Sequence, residues 1–314
     1  MKVIRGIYNF RSDHRGCVAT IGNFDGVHLG HQTVISQLSD KGKELGLPVV
    51  VITFEPHPKD YFVPTFAPPR ISRLRDKMIN LAVQGVDYVL LLNFSHKLAY
   101  MQAGDFVDQV LVKGLGIKYL VVGDDFHFGA ERKGDFGFLQ MLGERKGFKV
   151  VQMPTHQLDG SRVSSTRVRK ALLEKNMDCA ARLLGRYYSI SGRVRHGDKL
   201  GRQLDFPTAN IGLPKMPFPV AGVYAVQVNG ICEKSIPGVA NVGIRPTVDG
   251  KKALLEVHLL DFQGDIYGKY IGVDFLEYIR AEKKFSSVGD LKSQIAKDVE
   301  QSRKFFNNRQ EQIG

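Results

Sequence analysis

GNFDGVHLGHQ (residues 22–32) decides how the first half of the chain is read. A continuous apolar run, CVATIG (17–22), leads into it. An amphipathic stretch, His31–Leu45, leads out, with Val34, Ile35, Leu38 and Leu45 on one side. The pattern predicts strand, glycine-rich turn, helix. Gly22, Gly26 and Gly30 let backbone approach a ligand closely. A helix N-terminus offers unpaired N–H groups and the positive end of a dipole, which suits phosphate. His28 and His31 are one helical turn apart and can face the same ligand. Imidazole donors suit a phosphate that gains charge in a transition state. Taken alone, the pair is equally a metal-binding or surface pair. The glycines and the strand–turn–helix context favour phosphate.

Outward from this stretch, VVVITF (49–54), YVLLLNF (88–94), KYLVVG (118–123) and KVVQM (149–153) read as strands. They are continuously apolar, as expected where both faces are covered. Leu74–Val83, Asp105–Leu115 and Phe136–Arg145 carry helical patterns between them. Alternating strands and helices predict an α/β domain with a parallel sheet. Its ligand belongs at the carboxyl ends of the strands, near a reversal of strand order. TFEPHP (53–58) and GDDFHFG (123–129) follow two such ends, which makes Pro56, His57 and Asp125 candidate pocket residues.

The texture changes near Gly185–Tyr188. SISGRV, VYAVQV, GVANVG, LLEVHLL and YIGVDFLEYI are short strand-like runs. NG at 229–230 and DG at 249–250 are hairpin signals, and GDIYG (264–268) is a further turn. These predict an antiparallel β-barrel. Val288, Leu291, Ile295 and Val299 have helical spacing, so a terminal helix should cover it. The expected domains are 1–186 and 187–314, within the range of about 100 to 200 residues per domain.

Composition narrows the partners. The 314 residues are 43% apolar and 24% charged, which excludes a disordered or fibrous chain. Lys and Arg number 44 against 32 Asp and Glu, a net charge of +12. Up to residue 186 the count is 26 basic against 18 acidic side chains, and beyond it 18 against 14. No block of five or six like charges forms a nucleic-acid-binding tail. Cys17, Cys179 and Cys232 are isolated, which argues against a thiolate zinc site and fits a reducing compartment. The N-terminus is too polar for a signal peptide, and no apolar run approaches about 18 residues. A cytoplasmic protein with no membrane or nucleic-acid partner is expected; its oligomeric state stays open.

The HxGH signature, His28 to His31, resembles the nucleotidylyltransferase superfamily. RVSSTRVRKAL (162–172) resembles that superfamily's second signature, with Ser164, Ser165 and Thr166 at a helix start and Arg169 behind them. Hydroxyls there cap the helix and hold phosphate, and Arg169 meets a triphosphate with a planar fork of donors. Gly22, Asn23, Phe24 and Gly30 complete the expected ATP contacts. His127 stands where FAD synthetases usually carry Arg.

HGDKLGRQLDFPTANI (196–211), GVANVGIRPTV (238–248), LEVHLLDFQGDIYG (255–268) and RAEKKF (280–285) resemble riboflavin kinase. The resemblance implies a phosphate flap with Gly197, Lys199, Gly201 and Arg202. It implies Mg²⁺ and phosphate on Thr208 and Asn210, whose oxygens are hard ligands. It makes Glu256 the general base, and Arg280, Glu282 and Phe285 flavin-side residues. Asp205 replaces the usual Gly and Val248 the usual Phe.

Together the halves resemble the bacterial bifunctional riboflavin kinase/FAD synthetase family. The implied activities are transferase reactions in flavin-cofactor synthesis. Riboflavin and ATP give FMN and ADP, then FMN and a second ATP give FAD and pyrophosphate. On sequence alone, two other outcomes stay open. His127 and Asp205 motivate a chain with one active half. The +12 charge is the only direct support for a flavin or RNA sensor without catalysis.

Overall fold

A computed structural model describes residues 1–196, 204–213, 218–247 and 250–311. The strands are β1 (Lys2–Arg5), β2 (Val18–Ile21), β3 (Val49–Glu55), β4 (Tyr88–Asn93), β5 (Tyr119–Gly123), β6 (Lys149–Met153), β7 (Gln157–Leu158), β8 (Ser161–Arg162), β9 (Tyr188–Arg195), β10 (Thr208–Gly212), β11 (Gly222–Asn229), β12 (Ile236–Thr247), β13 (Gly250–Leu259) and β14 (Tyr270–Arg280). The helices are α1 (Leu29–Leu45), α2 (Pro58–Phe62), α3 (Leu74–Val83), α4 (His96–Ala99), α5 (Ala103–Phe106), α6 (Phe136–Lys146), α7 (Ser165–Leu173), α8 (Met177–Leu184) and α9 (Val288–Glu311). The chain divides into two compact units. One holds Met1–Pro68 and Ser72–Ser165, the other Pro69–Ile71 and Thr166–Gly314.

The first unit is built on a parallel six-stranded sheet of order β1-β4-β3-β2-β5-β6. Side chains alternate between its faces. Ala19, Ile21, Val50, Ile52, Leu120 and Val122 pack with Phe106, Leu111 and Leu139 on one side. Val18, Val49, Val51 and Val121 pack with Ile35, Leu38 and Leu81 on the other. Every position of β2 is therefore buried, and the strand reads as an unbroken apolar run. The chain winds outward from β2 through β3 and β4, then returns to β2's other edge with β5. The order reverses between β2 and β5, and GNFDGVHLGHQ begins at the carboxyl end of β2.

Three expectations need correction in this unit, and one strand was missed. β6 has the expected bounds but only β5 as a neighbour, so Lys149 and Gln152 are exposed and its valines half-buried. β1 carried no signal because only Ile4 of its four residues is buried. Leu45 is 43% exposed at the last position of α1, where the apolar stripe has left the sheet. The helix expected over Asp105–Leu115 is one α-turn, α5, continued as a π-helical stretch, Val107–Gly114.

The second unit is a closed antiparallel barrel of order β10-β13-β12-β11-β14-β9. Closure comes from β9 pairing with β10 as well as with β14. Tyr224 is fully buried with its ring 5.2 Å from Phe275 and 5.4 Å from Tyr278. Gly185, at the change of texture, ends α8 in the left-handed conformation (φ 68°). α8 packs on β9 and β14. Residue 249 of the expected DG turn lies outside the described residues, though Thr247 pairs with Gly250 beside it.

α9 runs over the barrel, with Val299 and Phe306 packed on Val223, Val239 and Leu260. Val288, expected on the covering stripe, is 61% exposed at the helix start. Among the described residues, three ion pairs tie α9 to the barrel and its loops. Asp298 takes Arg280 through two hydrogen bonds of 2.8 and 2.6 Å, Asp261 takes Arg303 through two of 2.6 Å, and Lys292 meets Asp205 at 2.6 Å. Asp298 is 3% exposed, whereas the other two pairs lie at the surface.

Candidate active sites

At the carboxyl end of β2, Gly22 N–H bonds Ile52 O at 3.0 Å, the last ladder bond before the chain turns. Phe24, Gly26 and Val27 then adopt φ of 48°, 87° and 41°. Positive φ is ordinary for glycine and costs a β-branched residue such as Val27 about 1–3 kcal/mol. Surrounding bonds hold the loop in place. Lys77 Nζ donates to Asn23 O at 2.9 Å and Thr53 Oγ1 donates to it at 3.2 Å. Ser72 Oγ accepts from Gly26 N–H, and Asp25 Oδ1 accepts from Ser72 N–H, both at 3.1 Å.

The loop delivers His28 to the N-cap of α1. His28 is buried, and its ring stacks on that of His31 with centroids 3.7 Å apart and planes 18° from parallel. The Phe24 ring lies 4.8 Å from His31. Gly30 has an ordinary φ, and its use is space. A Cβ there would stand 3.3 Å from the His28 ring and 3.4 Å from Val163 O. The second signature reaches the same loop, because Ser165 Oγ donates to Asp25 O at 3.0 Å. Gly22, Asn23, Phe24, His28, Gly30, His31 and Ser165 therefore form one assembly, with Ser164 adjoining Ser165 in sequence. Thr166 and Arg169 group with the second unit, where Arg169 is buried and its Nε donates to Pro69 O at 2.8 Å.

The flanking candidates sit at the ends of β3 and β5. Glu55–Pro56 is a cis peptide. His57 is buried and caps α2, its Nδ1 accepting from Lys59 N–H at 3.1 Å. Asp125 pairs with Arg162 at 2.8 Å, and Arg162 also reaches Asp124 at 3.2 Å. A Thr155 hydroxyl bond, seconded by Arg162, lowers the Asp124 carboxyl below its ordinary pKa. His127 is exposed, with Nδ1 3.1 Å from Asp125 O. Sequence reasoning missed Asp25, Ser72 and Lys77. Asp25 lies inside the quoted motif, while Lys77 gave no signal beyond being a lysine within an apolar helix pattern.

In the second unit, Thr208, Asn210, Glu256, Arg280, Glu282 and Phe285 all line one pocket of about 230 Å³. Register explains the convergence. Glu256 on β13 lies opposite Asn210 on β10 and opposite Asn241 on β12. Directly opposed side chains share a face and sit about 5 Å apart at Cβ. Asn210 is buried and its Nδ2 donates to Thr208 O at 3.2 Å. Phe206 and His258 form a T-shaped pair at 5.4 Å, and His258 Nδ1 lies 2.9 Å from Pro207 O. Leu291, Ile295 and Asp298 of α9 form another wall. The Arg280 guanidinium is fixed on Asp298, 5.8 Å above the Phe285 ring. A Cβ at Gly243 would meet Glu282 Oε1, the free end of an exposed side chain, which would have to swing away from its place. Asn241, His258 and the α9 wall were missed by sequence reasoning, although Asn241 lies within GVANVGIRPTV.

Asp205 adopts φ 68°, a conformation in which the Gly usual in riboflavin kinases carries no steric cost. Its carboxylate is engaged by Lys292. Gly197, Lys199, Gly201, Arg202 and Val248 lie outside the described residues. Among the described residues no group of three or more His, Cys, Asp or Glu gathers as a metal site, and no helix is long and apolar enough to cross a membrane.

Comparison with known proteins divides the chain between two families. The family model for FAD synthetase matches residues 10–167, and that for riboflavin kinase matches residues 184–306. The bifunctional riboflavin kinase/FMN adenylyltransferase of Pseudomonas fluorescens is 51% identical over 304 residues, covering 96% of this chain and 97% of that one. Its counterpart in Escherichia coli K12 is 50% identical over 307 residues, covering 98% of each. A solved structure from Streptococcus pneumoniae, described as a macrolide-efflux protein, superposes with a TM-score of 0.81 at 32% identity, covering 96% of this chain and 98% of that one.

Proposed function

This chain belongs to the bifunctional riboflavin kinase/FMN adenylyltransferase family and converts riboflavin to FMN and FMN to FAD; from that premise we propose which residues perform each step. The kinase step is assigned to residues 187–314 and the adenylyl step to residues 1–186. The observation that carries the kinase assignment is the convergence of Thr208, Asn210 and Glu256 on one pocket.

In that pocket Glu256 acts as general base. It takes the proton of the terminal ribityl hydroxyl as that oxygen attacks the γ-phosphorus of ATP, and ADP leaves. Thr208 and Asn210 offer a hydroxyl and a carboxamide oxygen. This all-oxygen set fits Mg²⁺, which takes one or two protein oxygens together with substrate phosphates. Bound there, Mg²⁺ neutralises phosphate charge. Asn210 Nδ2 is held by Thr208 O, which orients the carboxamide. Lys199 and Arg202 are assigned to the phosphates, with Gly197 and Gly201 allowing close approach. Arg280, Glu282 and Phe285 frame the flavin side. Arg280 does so from its clamp on Asp298.

In the adenylyl step the FMN phosphate attacks the α-phosphorus of ATP in line, and pyrophosphate leaves. No covalent intermediate with the protein is needed. His28 and His31 donate to the phosphate oxygens that gain charge. Gly22, Asn23, Phe24 and Gly30 bring backbone to the nucleotide. Ser164, Ser165 and Thr166 hold phosphate, and Arg169 serves the triphosphate. Pro56, His57 and Asp125 are assigned to the flavin side. The internal bonds of His57 and Asp125 make them framework for that pocket.

The test supplies each substrate separately with Mg-ATP and separates the flavins. His28→Ala is expected to form FMN from riboflavin at the parent rate and to lose FAD formation by about 100-fold or more. Glu256→Ala is expected to lose FMN formation by about 100-fold or more while still converting supplied FMN to FAD. Loss of both products in either variant would overturn the residue assignment.

A further inference from the structure

We infer that Asn241 is a specificity-determining residue of the kinase step, accepting a hydrogen bond from the ribityl hydroxyl next to the one phosphorylated. The inference rests on the kinase pocket and on Glu256 as proposed above. Three observations carry it.

Asn241 lines the pocket. It lies opposite Glu256 across the β12–β13 ladder, so the two side chains share the pocket face about 5 Å apart at Cβ. Two side chains so placed can converge on neighbouring hydroxyls of one polyol chain, the terminal one at Glu256 and the next at Asn241. Finally, Asn241 Oδ1 is buried, and among the described residues no donor reaches it.

The direction of the carboxamide follows from its surroundings. Nδ2 lies on the Gly243 side, where a Cβ would stand 3.3 Å from it and would also meet Glu282 Oε1. The amide hydrogens thus face the carboxylate side, and the bare oxygen is the end left for a ligand. Buried polar atoms nearly always have a partner, so a bare acceptor in a pocket wall marks the place of a donor from outside. A carboxamide oxygen accepts only, and the substrate offers hydroxyls. Asn210, opposed to Glu256 on the other side, has Nδ2 bonded to Thr208 O, which leaves Asn241 as the orphan of the pair.

The experiment measures riboflavin kinase kinetics of the full chain with riboflavin and with the analogue lacking that one hydroxyl. The parent protein is expected to show about a tenfold lower kcat/KM for the analogue, the effect of one net hydrogen bond. Asn241→Leu, close in volume, and Asn241→Ser are expected to raise KM for riboflavin about tenfold and leave KM for ATP within about twofold. On the analogue both variants should match the parent, because the hydrogen bond is already gone. The unchanged KM for ATP in the kinase reaction checks that the barrel of each variant is folded.

An equal loss on riboflavin and on the analogue would make Asn241 merely structural and overturn the inference, as would parent-like kinetics on riboflavin. Parent discrimination of less than twofold overturns it without any variant. Glu256→Gln separates the two levels. If it abolishes FMN formation while the Asn241 variants fail to discriminate, only Asn241 is wrongly assigned. If it leaves FMN formation intact, the pocket itself is misplaced.

Discussion

At the residue scale, the two sites depend on positions where side-chain volume or backbone sign leaves little choice. Gly243 is one, because a Cβ there would push the Glu282 carboxylate from its place on the pocket wall. The expected effect is loss of that carboxylate from the flavin side and not core overpacking, and about 1.4 kcal/mol is a factor of ten in rate. Gly243→Ala is expected to lower riboflavin kinase kcat/KM about tenfold and leave FMN-to-FAD conversion unchanged, measured on one preparation with each substrate in turn. Asp205 is a contrasting case. It holds a left-handed conformation without glycine's freedom, and its charge is met by Lys292. Val27, β-branched at φ 41°, is held by the bonds around its loop, and the strain sits beside the stacked histidines. The sequence alone shows none of these three conditions, since φ and free volume follow from what packs nearby.

At the element scale, α9 is both a cover for the barrel and a wall of the pocket proposed for the kinase step. Its anchor is Asp298, 3% exposed, gripped by Arg280 through two hydrogen bonds and by Gln294 at 2.9 Å. Removing one partner of a buried pair strands the other charge, at about 3–5 kcal/mol. Asp298→Ala is therefore expected to lower the thermal midpoint by several degrees and raise KM for riboflavin, while Arg280→Met with Asp298→Leu should recover most of the midpoint. Calorimetry and kinase kinetics on the two proteins check this. β14 carries a second expectation. Burial holds the Asp274 carboxyl above its ordinary value of 3.8, although bonds from Ser189 and Asn229 and the charge of Arg186 pull it down. The folded barrel then keeps the proton longer than the unfolded chain does. Stability present below the ordinary value is lost as pH rises through the folded one. Asp274→Asn stays neutral and is expected to raise the thermal midpoint near pH 7 but not near pH 3, measured by melting at both. At the element scale much was legible. α3 and β6 have the expected bounds, and the buried strands announced themselves by unbroken apolar runs. β1 did not, because an edge strand with one buried residue carries no periodic signal.

At the scale of the whole molecule, two activities map to separate stretches of one chain. His28→Ala and Glu256→Ala proteins each lack one proposed site and retain the other. Their equimolar mixture with riboflavin and Mg-ATP is expected to form FAD, since FMN made by one can be used by the other. Chromatography of the flavins checks it, and FMN accumulating without FAD would mean that FMN is not passed between molecules. By itself the sequence determined the fold class and the two enzyme families, and it offered the HxGH and SSTxxR motifs and Glu256 as candidates. These rest on local periodicity and on chemistry packed into short contiguous motifs. Only the tertiary structure decided that Lys77, 54 residues from Asn23, holds the carbonyl of the glycine-rich loop. Likewise it decided that Asn210, Asn241 and Glu256 meet across three strands, and that α9 closes their pocket. The physical reason is the same in each case. Strand register and helix docking bring together residues whose separation along the chain says nothing about their separation in space.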